Sequence, residues 1–190
     1  MMRYLVLVAD YPNLDGGLAL TYVRTRNVYY KEHGVEVDVL NFSAKKGYEI
    51  DGIRVFSLRE FKQNFKSGKY DLLICHAPNL RNHYIFLRRY GNLFSKIVFF
   101  FHGHEVLKVN KVYSKPYPYV KSNYLQEVLQ NVYDDFKFHV WRSYINRYYQ
   151  KLYFISVSKW MREQFIRWVH PMECALENRN FITYNCVGSV

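Results

Sequence analysis

The sequence predicts a Rossmann-like α/β domain with a mostly parallel sheet and helices on both faces, and three observations carry this prediction. Short, uninterrupted apolar runs recur along the chain, as expected for strands that are covered on both faces. Segments with helical periodicity separate most of these runs, which favours β-α units joined by right-handed crossovers. In addition, 49% of the 190 residues are hydrophobic and 23% are charged, which is typical of a globular domain and excludes a disordered or collagen-like chain.

The first third of the chain begins with a strand, a loop and a helix. Residues 4–9 form an apolar run that predicts a buried strand, and the glycine-containing segment 10–17 predicts a loop. A helix is predicted over residues 18–33, because Gly34 stands at a C-cap position. The run at 35–40 predicts the second strand.

A hairpin and two further buried strands are predicted next. The pattern over residues 48–57 indicates an antiparallel hairpin that turns at Asp51-Gly52, because this dipeptide accepts positive φ angles. A short helix is predicted over residues 58–66. The apolar runs at 71–75 and 96–101 predict the third and fourth strands of the parallel sheet.

A long helix dominates the last third of the chain. It is predicted over residues 124–152, and a strand at 153–157, a helix at 159–168 and a strand at 180–184 follow it. Apolar residues recur every four positions along the long helix, and we expect this row to face the core. The row comprises Val128, Val132, Phe136, Val140, Tyr144, Tyr148 and Leu152.

The chain carries a net charge of +11, and most of the excess lies in its middle. Residues 61–123 contain 11 Lys and Arg but only two Asp and Glu, so polyanions, phosphorylated ligands and acidic membranes are candidate partners. An ordinary solvated surface explains the same charge equally well. Three cysteines without metal-ligand spacing indicate neither a disulfide framework nor a zinc site, which favours a reducing compartment.

No segment matches a signal peptide or a membrane-spanning helix. The first apolar run ends at Asp10, and the run at 97–101 is far shorter than the roughly 20 residues that a span requires. We therefore expect a cytoplasmic protein that is peripheral to a membrane at most.

Unusual polar residues follow several of the predicted strands. His76 and Asn79 follow the third strand of the parallel sheet, and His102 and Glu105 follow the fourth. In sheets of this kind ligands bind beyond the carboxyl ends of the strands, so these residues are candidates for one binding site. Ser156, Ser158 and Asn185 follow the last two strands.

The glycine pair after the first strand is a candidate anion site. Gly16 and Gly17 precede a predicted helix, where backbone N–H groups and the helix dipole favour a phosphate. The segment is neither a G-x-G-x-x-G motif nor a P-loop, and a plain tight turn explains it as well.

A metal site is the less favoured interpretation of the two histidines around Gly103. His102 and His104 would point the same way in an extended segment, and Glu105 follows them. Three ligands within four residues are uncommon, and no fourth is evident, so no metal or other cofactor is expected. A neutral histidine at a strand end can instead hydrogen-bond to a sugar hydroxyl or a phosphate.

The order of these features resembles the N-terminal half of family 4 glycosyltransferases with the GT-B fold, especially those that build bacterial cell-surface polysaccharides. The resemblance covers nearly all of the chain, and it depends on the order and spacing of modest motifs. These are Tyr11-Pro12 with Gly16-Gly17, Tyr22 to Arg24, Asp51 to Val55, Tyr70-Asp71 with His76 to Asn79, Phe101 to Glu105, Ser156 to Met161, and Tyr184 to Gly188. In the last motif Cys186 stands where the family has glycine, and the family's aspartate is absent.

The resemblance implies metal-independent transfer of a sugar from a nucleotide-sugar donor to a glycan or lipid-linked acceptor, with retention at the anomeric carbon. It implies that Gly16 and Gly17 reach the donor diphosphate and that His102 contacts the transferred sugar as the catalytic residue. His76, Asn79 and Glu105 become acceptor-side or sugar-binding candidates on the same rim.

The resemblance also implies a domain boundary and a membrane-facing surface. Residues 1–185 would be the acceptor-side domain and 186–190 the start of the hinge, so the donor-binding domain is absent from this sequence. Without that domain we expect weak donor binding and no turnover. Many enzymes of this class act on lipid-linked acceptors, and we expect the loop with Lys108, Lys111, Lys115 and Lys121 to meet an anionic membrane.

Three other functions remain open from the sequence, and the least favoured is a metal-dependent hydrolase built on His102, His104 and Glu105. The first is a non-catalytic Rossmann-type module that binds a phosphorylated small molecule through the glycine loop. The second is nucleic-acid binding by the basic middle segment, which we do not expect because no RNA- or DNA-binding signature accompanies the charge.

Overall fold

A computed structural model describes residues 2–13, 19–65, 68–113 and 124–184. The strands in these ranges are β1 (Arg3–Val8), β2 (Glu36–Asn41), β3 (Tyr48–Ile50), β4 (Ile53–Phe56), β5 (Leu72–His76), β6 (Ile97–Phe101), β7 (Leu152–Ser156) and β8 (Asn180–Ile182). The α-helices are α1 (Thr21–Glu32), α2 (Leu58–Asn64), α3 (Ile85–Tyr90), α4 (Val109–Val112), α5 (Tyr124–Tyr148), α6 (Lys159–Val169) and α7 (Glu173–Leu176).

The strands form one sheet in the order β3-β4-β2-β1-β5-β6-β7-β8. Every neighbouring pair is parallel except the β3–β4 hairpin. The order reverses between β1 and β5, because β1 pairs with β2 on one side and with β5 on the other. A crevice at the carboxyl ends of the strands near such a reversal is the usual ligand position in a doubly wound sheet.

Helices cover both faces of the sheet, which confirms the predicted Rossmann-like α/β class. One face packs against α2, α3, α5, α6 and α7, through residues such as Phe61, Phe86, Phe138, Phe165 and Ala175. On the other face α1 contributes Val23 to a second core. Alternate side chains of the central strands enter the two cores, so these strands are buried on both sides, as their continuous apolar runs predict.

The hairpin and the helix after it form as predicted. Asp51 and Gly52 have φ angles of 55° and 67°, which is the left-handed conformation that their turn requires. Helix α2 begins with a capping box, in which Ser57 accepts from the Glu60 N–H and the Glu60 carboxylate accepts from the Ser57 N–H.

The helical segment between β5 and β6 was not predicted from the sequence. A π-helical turn at Leu80–Tyr84 leads into α3, and a 3₁₀ turn at Gly91–Leu93 ends the segment. Its many polar and basic residues hide the helical periodicity. The one local signal is Asn79, whose side-chain oxygen accepts from the Asn82 N–H and caps the first turn.

The prediction that one row of α5 faces the core is wrong for its first half. Val128, Val132 and Phe136 are 40%, 62% and 59% exposed, whereas Tyr144 is buried. Each step of four residues passes a full helical turn by about 40°, so the row winds about 160° around the helix between Val128 and Tyr144. The buried side consists instead of Asp134, Lys137, Phe138, Trp141, Tyr144 and Ile145.

In the part of the chain that the structure describes, no helix is both long and apolar enough to cross a bilayer. The predicted hinge at 186–190 lies outside the described residues.

Candidate functional site

A pocket of about 530 Å³ lies at the carboxyl edge of the sheet, next to the strands where the order reverses. It brings together three of the predicted site residues, namely Asn79 after β5 and His102 and Glu105 after β6. The full lining is Tyr22, Ala77, Pro78, Asn79, His102, Gly103, His104, Glu105, Val109, Gln130, Tyr133 and Lys137.

His76 lies behind the pocket and contacts His102 directly. Nδ1 of His76 and Nε2 of His102 are 3.0 Å apart, so one imidazole donates a hydrogen bond to the other. The remaining ring nitrogens, Nε2 of His76 and Nδ1 of His102, are buried and have no hydrogen-bond partner among the described residues. A buried polar atom without a partner is costly, so Nδ1 of His102, a residue that lines the pocket, is a candidate for a hydrogen bond to a ligand.

Both histidines are held in the neutral form. Burial lowers the pKa of His76 well below its ordinary value, and electrostatic interactions with His102, Arg26 and His83 oppose its protonation further. Burial, together with Arg26, lowers the pKa of His102 to about 4. At neutral pH this pair therefore shares one hydrogen bond and carries no charge.

Arg26 is a cation beside the histidine pair that the sequence reading missed. Its guanidinium carbon lies 4.6 Å from the centre of the Phe100 ring, and that ring stacks on both His76 and His102. One terminal nitrogen donates to the Tyr184 carbonyl at 3.4 Å, whereas Nε is buried without a partner in the described part of the chain. Arg26 thus joins α1 to the segment that leaves β8.

Tyr22 also lines the pocket and packs against His102. Its ring centre is 4.5 Å from that of His102, at an interplanar angle of 39°. Burial raises the pKa of the Tyr22 phenol to about 12, and the Glu105 carboxylate adds to the rise. The sequence placed this residue in a resemblance motif but gave it no role, because helical periodicity alone does not show which residues of the first turn of α1 face the sheet edge.

The segment after β5 is tightly constrained. Ala77 adopts a left-handed conformation with φ of 46°, which is uncommon for a residue with a side chain. Asn79 caps the π-helical turn, and its backbone N–H donates to Nδ1 of His83. The other ring nitrogen of His83 donates to the Leu7 carbonyl, so the imidazole ties this segment to β1.

Glu105 organises the pocket rim through the backbone. Its carboxylate accepts hydrogen bonds from the N–H groups of His102 and Gly103, and burial raises its pKa. These bonds fold residues 102–105 into a turn that orients His102. A positioning role therefore accounts for Glu105 better than the predicted contact with an acceptor.

Lys137 of α5 holds the same loop from the other side. Its ammonium donates to the carbonyls of His104 and Leu107 at 2.7 and 3.2 Å. It also pairs with the fully buried Asp134 at 2.8 Å. The sequence did not indicate this buried ion pair, because neither residue belongs to the apolar row that was expected to face the core.

The remaining predicted residues contribute little to the described pocket. Gly16, Gly17, Lys115 and Lys121 lie outside the described residues. Lys108 forms an ion pair with Asp135 at 2.6 Å, and its side chain is 16% exposed. Lys111 is exposed on α4.

The histidines around Gly103 do not assemble a metal centre within the described ranges, where no group of three His, Cys, Asp or Glu side chains has suitable geometry. His104 is exposed, with its ring 6.0 Å from that of Tyr113, while the Glu105 carboxylate is bound to backbone N–H groups.

No family model and no curated protein matches this chain. The proposed function therefore depends on the geometry of the pocket and on the order of the motifs.

Proposed function

We propose that this chain is the acceptor-side domain of a two-domain, GT-B-type glycosyltransferase that builds cell-surface polysaccharide. The observation that carries the proposal is the pocket beside the reversal in strand order, which is lined by the neutral His102, whose Nδ1 is buried without a described partner. The resemblance in motif order supports the same function, since the histidine to which it assigns the catalytic role, His102 after β6, lines this pocket.

The lining suits a sugar better than a highly charged ligand. Tyr22 and Tyr133 offer ring faces and hydroxyl groups, and Gln130 offers an amide. The carboxylate and the ammonium of Glu105 and Lys137 are both engaged by the rim backbone. Neutral imidazole can donate to or accept from a sugar hydroxyl, which is the role we propose for His102.

The donor side belongs to a second domain in this proposal. Gly16 and Gly17 would approach the diphosphate of a nucleotide sugar, and fixed N–H groups there would stabilise the charge of the leaving group. Transfer would retain the anomeric configuration without a metal ion. The acceptor would be a glycan or a lipid-linked saccharide, and no nucleic-acid partner is proposed.

An anionic membrane at the cytoplasmic face is the proposed location. The first half of α5 exposes Leu125, Leu129, Val132 and Phe136, which are between 59% and 68% exposed. At 3.6 residues per turn these four lie within about 60° of one another, opposite the buried side of the helix. This apolar stripe supports membrane contact more strongly than Lys108, whose ammonium is paired with Asp135.

The test is sugar transfer by the natural protein that contains this domain. A panel of radiolabelled nucleotide sugars is incubated with membranes from the source cells, and label is measured in the glycolipid fraction. We expect His102→Ala to lower transfer by at least about a hundredfold, in the range of lost transition-state hydrogen bonds.

The matched control is His139→Ala, which removes an exposed histidine of α5 that does not line the pocket. It should transfer at the parent rate. Equal activity of the His102 and His139 variants would contradict the proposed role, and no transfer from any donor by the parent would contradict the function.

A further inference from the structure

A second cleft, of about 370 Å³, lies between α4 and α6 and shares no lining residue with the pocket around His102. Its lining is Lys111, Val112, Trp160, Gln164, Arg167 and Trp168. Helix α4 separates the two sites, since Val109 lines the pocket and Val112 lines the cleft.

Helix α6 builds one wall of the cleft from residues four apart. Trp160, Gln164 and Trp168 therefore lie along one face of the helix. The indole N–H of Trp168 donates to the Gln164 side-chain oxygen at 2.9 Å, and the Phe138 ring stacks against Trp168 at 6.4 Å. These contacts fix Trp168 in place before any ligand binds.

Trp160 is the exposed aromatic surface of the cleft. Its side chain is 46% exposed, and its ring has no aromatic or cationic partner among the described residues. A half-exposed indole beside a fixed one is a flat apolar surface, and the negative face of such a ring attracts the partly positive C–H groups of a sugar.

The charge of the cleft is positive. Lys111 and Arg167 are both exposed, and neither forms an ion pair with a residue in the described ranges. The lining contains no acidic residue. An arginine fork and an ammonium that have no acidic partner favour a carboxylate ligand, which arginine binds through two parallel hydrogen bonds.

We propose that this cleft binds an acidic saccharide, with one sugar ring on Trp160 and its carboxylate on Arg167 and Lys111. A concave site of this volume, with two cations and a fixed amide, fits a charged ring better than a nucleic-acid strand, which needs a longer row of cations and stacking rings. The inference uses only the lining of this cleft, so it stands whether or not the pocket transfers sugar.

The experiment is direct binding of tetragalacturonate to the 190-residue chain, followed by tryptophan fluorescence and by NMR. We expect saturable binding, with α-1,4-linked galactotetraose, the neutral counterpart, bound at least about tenfold more weakly because it lacks the charge-assisted hydrogen bonds. Trp160→Ala and Arg167→Gln should each weaken tetragalacturonate binding by about tenfold, and Trp160→Phe should retain part of it.

The matched control is Arg162→Gln, which removes the same charge from an exposed position of α6 outside the cleft. It should bind as the parent does. Equal affinity for the two saccharides, unchanged affinity in the Trp160 and Arg167 variants, or tighter Trp160-dependent binding of oligothymidylate or phosphatidylglycerol vesicles would each overturn the proposal.

Discussion

Three histidines near the carboxyl edge of the sheet are kept neutral by their surroundings. Burial lowers the pKa of His83 and of His102 to about 4, and that of His76 falls well below its ordinary value. Each ring serves as a hydrogen-bonding group, either to a backbone carbonyl, as in His83, or to the other histidine. Neutrality at this edge suits a site that hydrogen-bonds to hydroxyl groups.

The same burial predicts that acid destabilises the fold. Below the ordinary histidine pKa of about 6.5, the unfolded chain takes up protons that the folded chain does not bind. The free energy of unfolding should therefore fall from pH 6.5 to pH 4 by about 1.4 kcal/mol per pH unit for each neutral histidine, and the histidines should add no slope above pH 6.5. The raised pKa of Glu105 acts in the opposite sense and reduces the slope.

Urea unfolding at a series of pH values measures this dependence. His83→Gln should remove one histidine's share of the slope, whereas His139→Gln, at an exposed position of α5, should leave it unchanged. A flat profile in the parent between pH 4 and 6.5, or the parent's slope in His83→Gln, would contradict the account.

At the scale of elements, α5 contributes residues both to the pocket rim and to an exposed apolar surface. Its buried side carries Asp134 and Lys137, which hold the pocket rim through backbone hydrogen bonds. Its opposite side carries the exposed apolar stripe. The helix therefore connects the site to the surface that we propose meets the membrane.

The stripe predicts binding to anionic membranes that depends on both salt and apolar contact. Flotation with phosphatidylglycerol vesicles should recover the parent chain at low salt and less of it at high salt, because screening weakens the attraction of the basic surface. Leu129→Glu and Phe136→Glu together should abolish recovery. Ile85→Glu is the matched control, because Ile85 is 61% exposed on α3.

Three results of the flotation experiment would contradict the membrane proposal. Binding that salt does not change, no binding at low salt, or equal loss in the α5 and Ile85 variants would contradict it.

The central strands were predictable because each is a short apolar run, and the structure ends β5 and β6 within one residue of the predicted limits. The buried face of α5 was not predictable, because a row of residues four apart winds slowly around a helix. The π-helical turn after Asn79 was not predicted, because its polar residues hide the helical periodicity of the sequence.

The site was predictable only in part. His102 and Asn79 follow from the rule that ligands bind at strand ends, and both line the pocket. Helices contribute the other site residues, Tyr22, Arg26 and Lys137. Which residues of a helix reach the sheet edge depends on how the helix packs, and sequence periodicity does not specify this packing.

At the scale of the whole molecule, the pocket is proposed as one wall of a cleft that a second domain completes. Arg26 connects the histidine pair to Tyr184, the last described residue, near the hinge that the resemblance implies. Binding on the two sides of such a cleft would bring donor and acceptor together.

The intact mass of the natural protein, measured from its own cells by mass spectrometry, tests this claim most directly. The account predicts a chain of about twice 23.0 kDa, in which a second Rossmann-like domain follows this one. A natural mass of 23.0 kDa would contradict the two-domain transferase and favour a Rossmann-type module that binds a phosphorylated ligand.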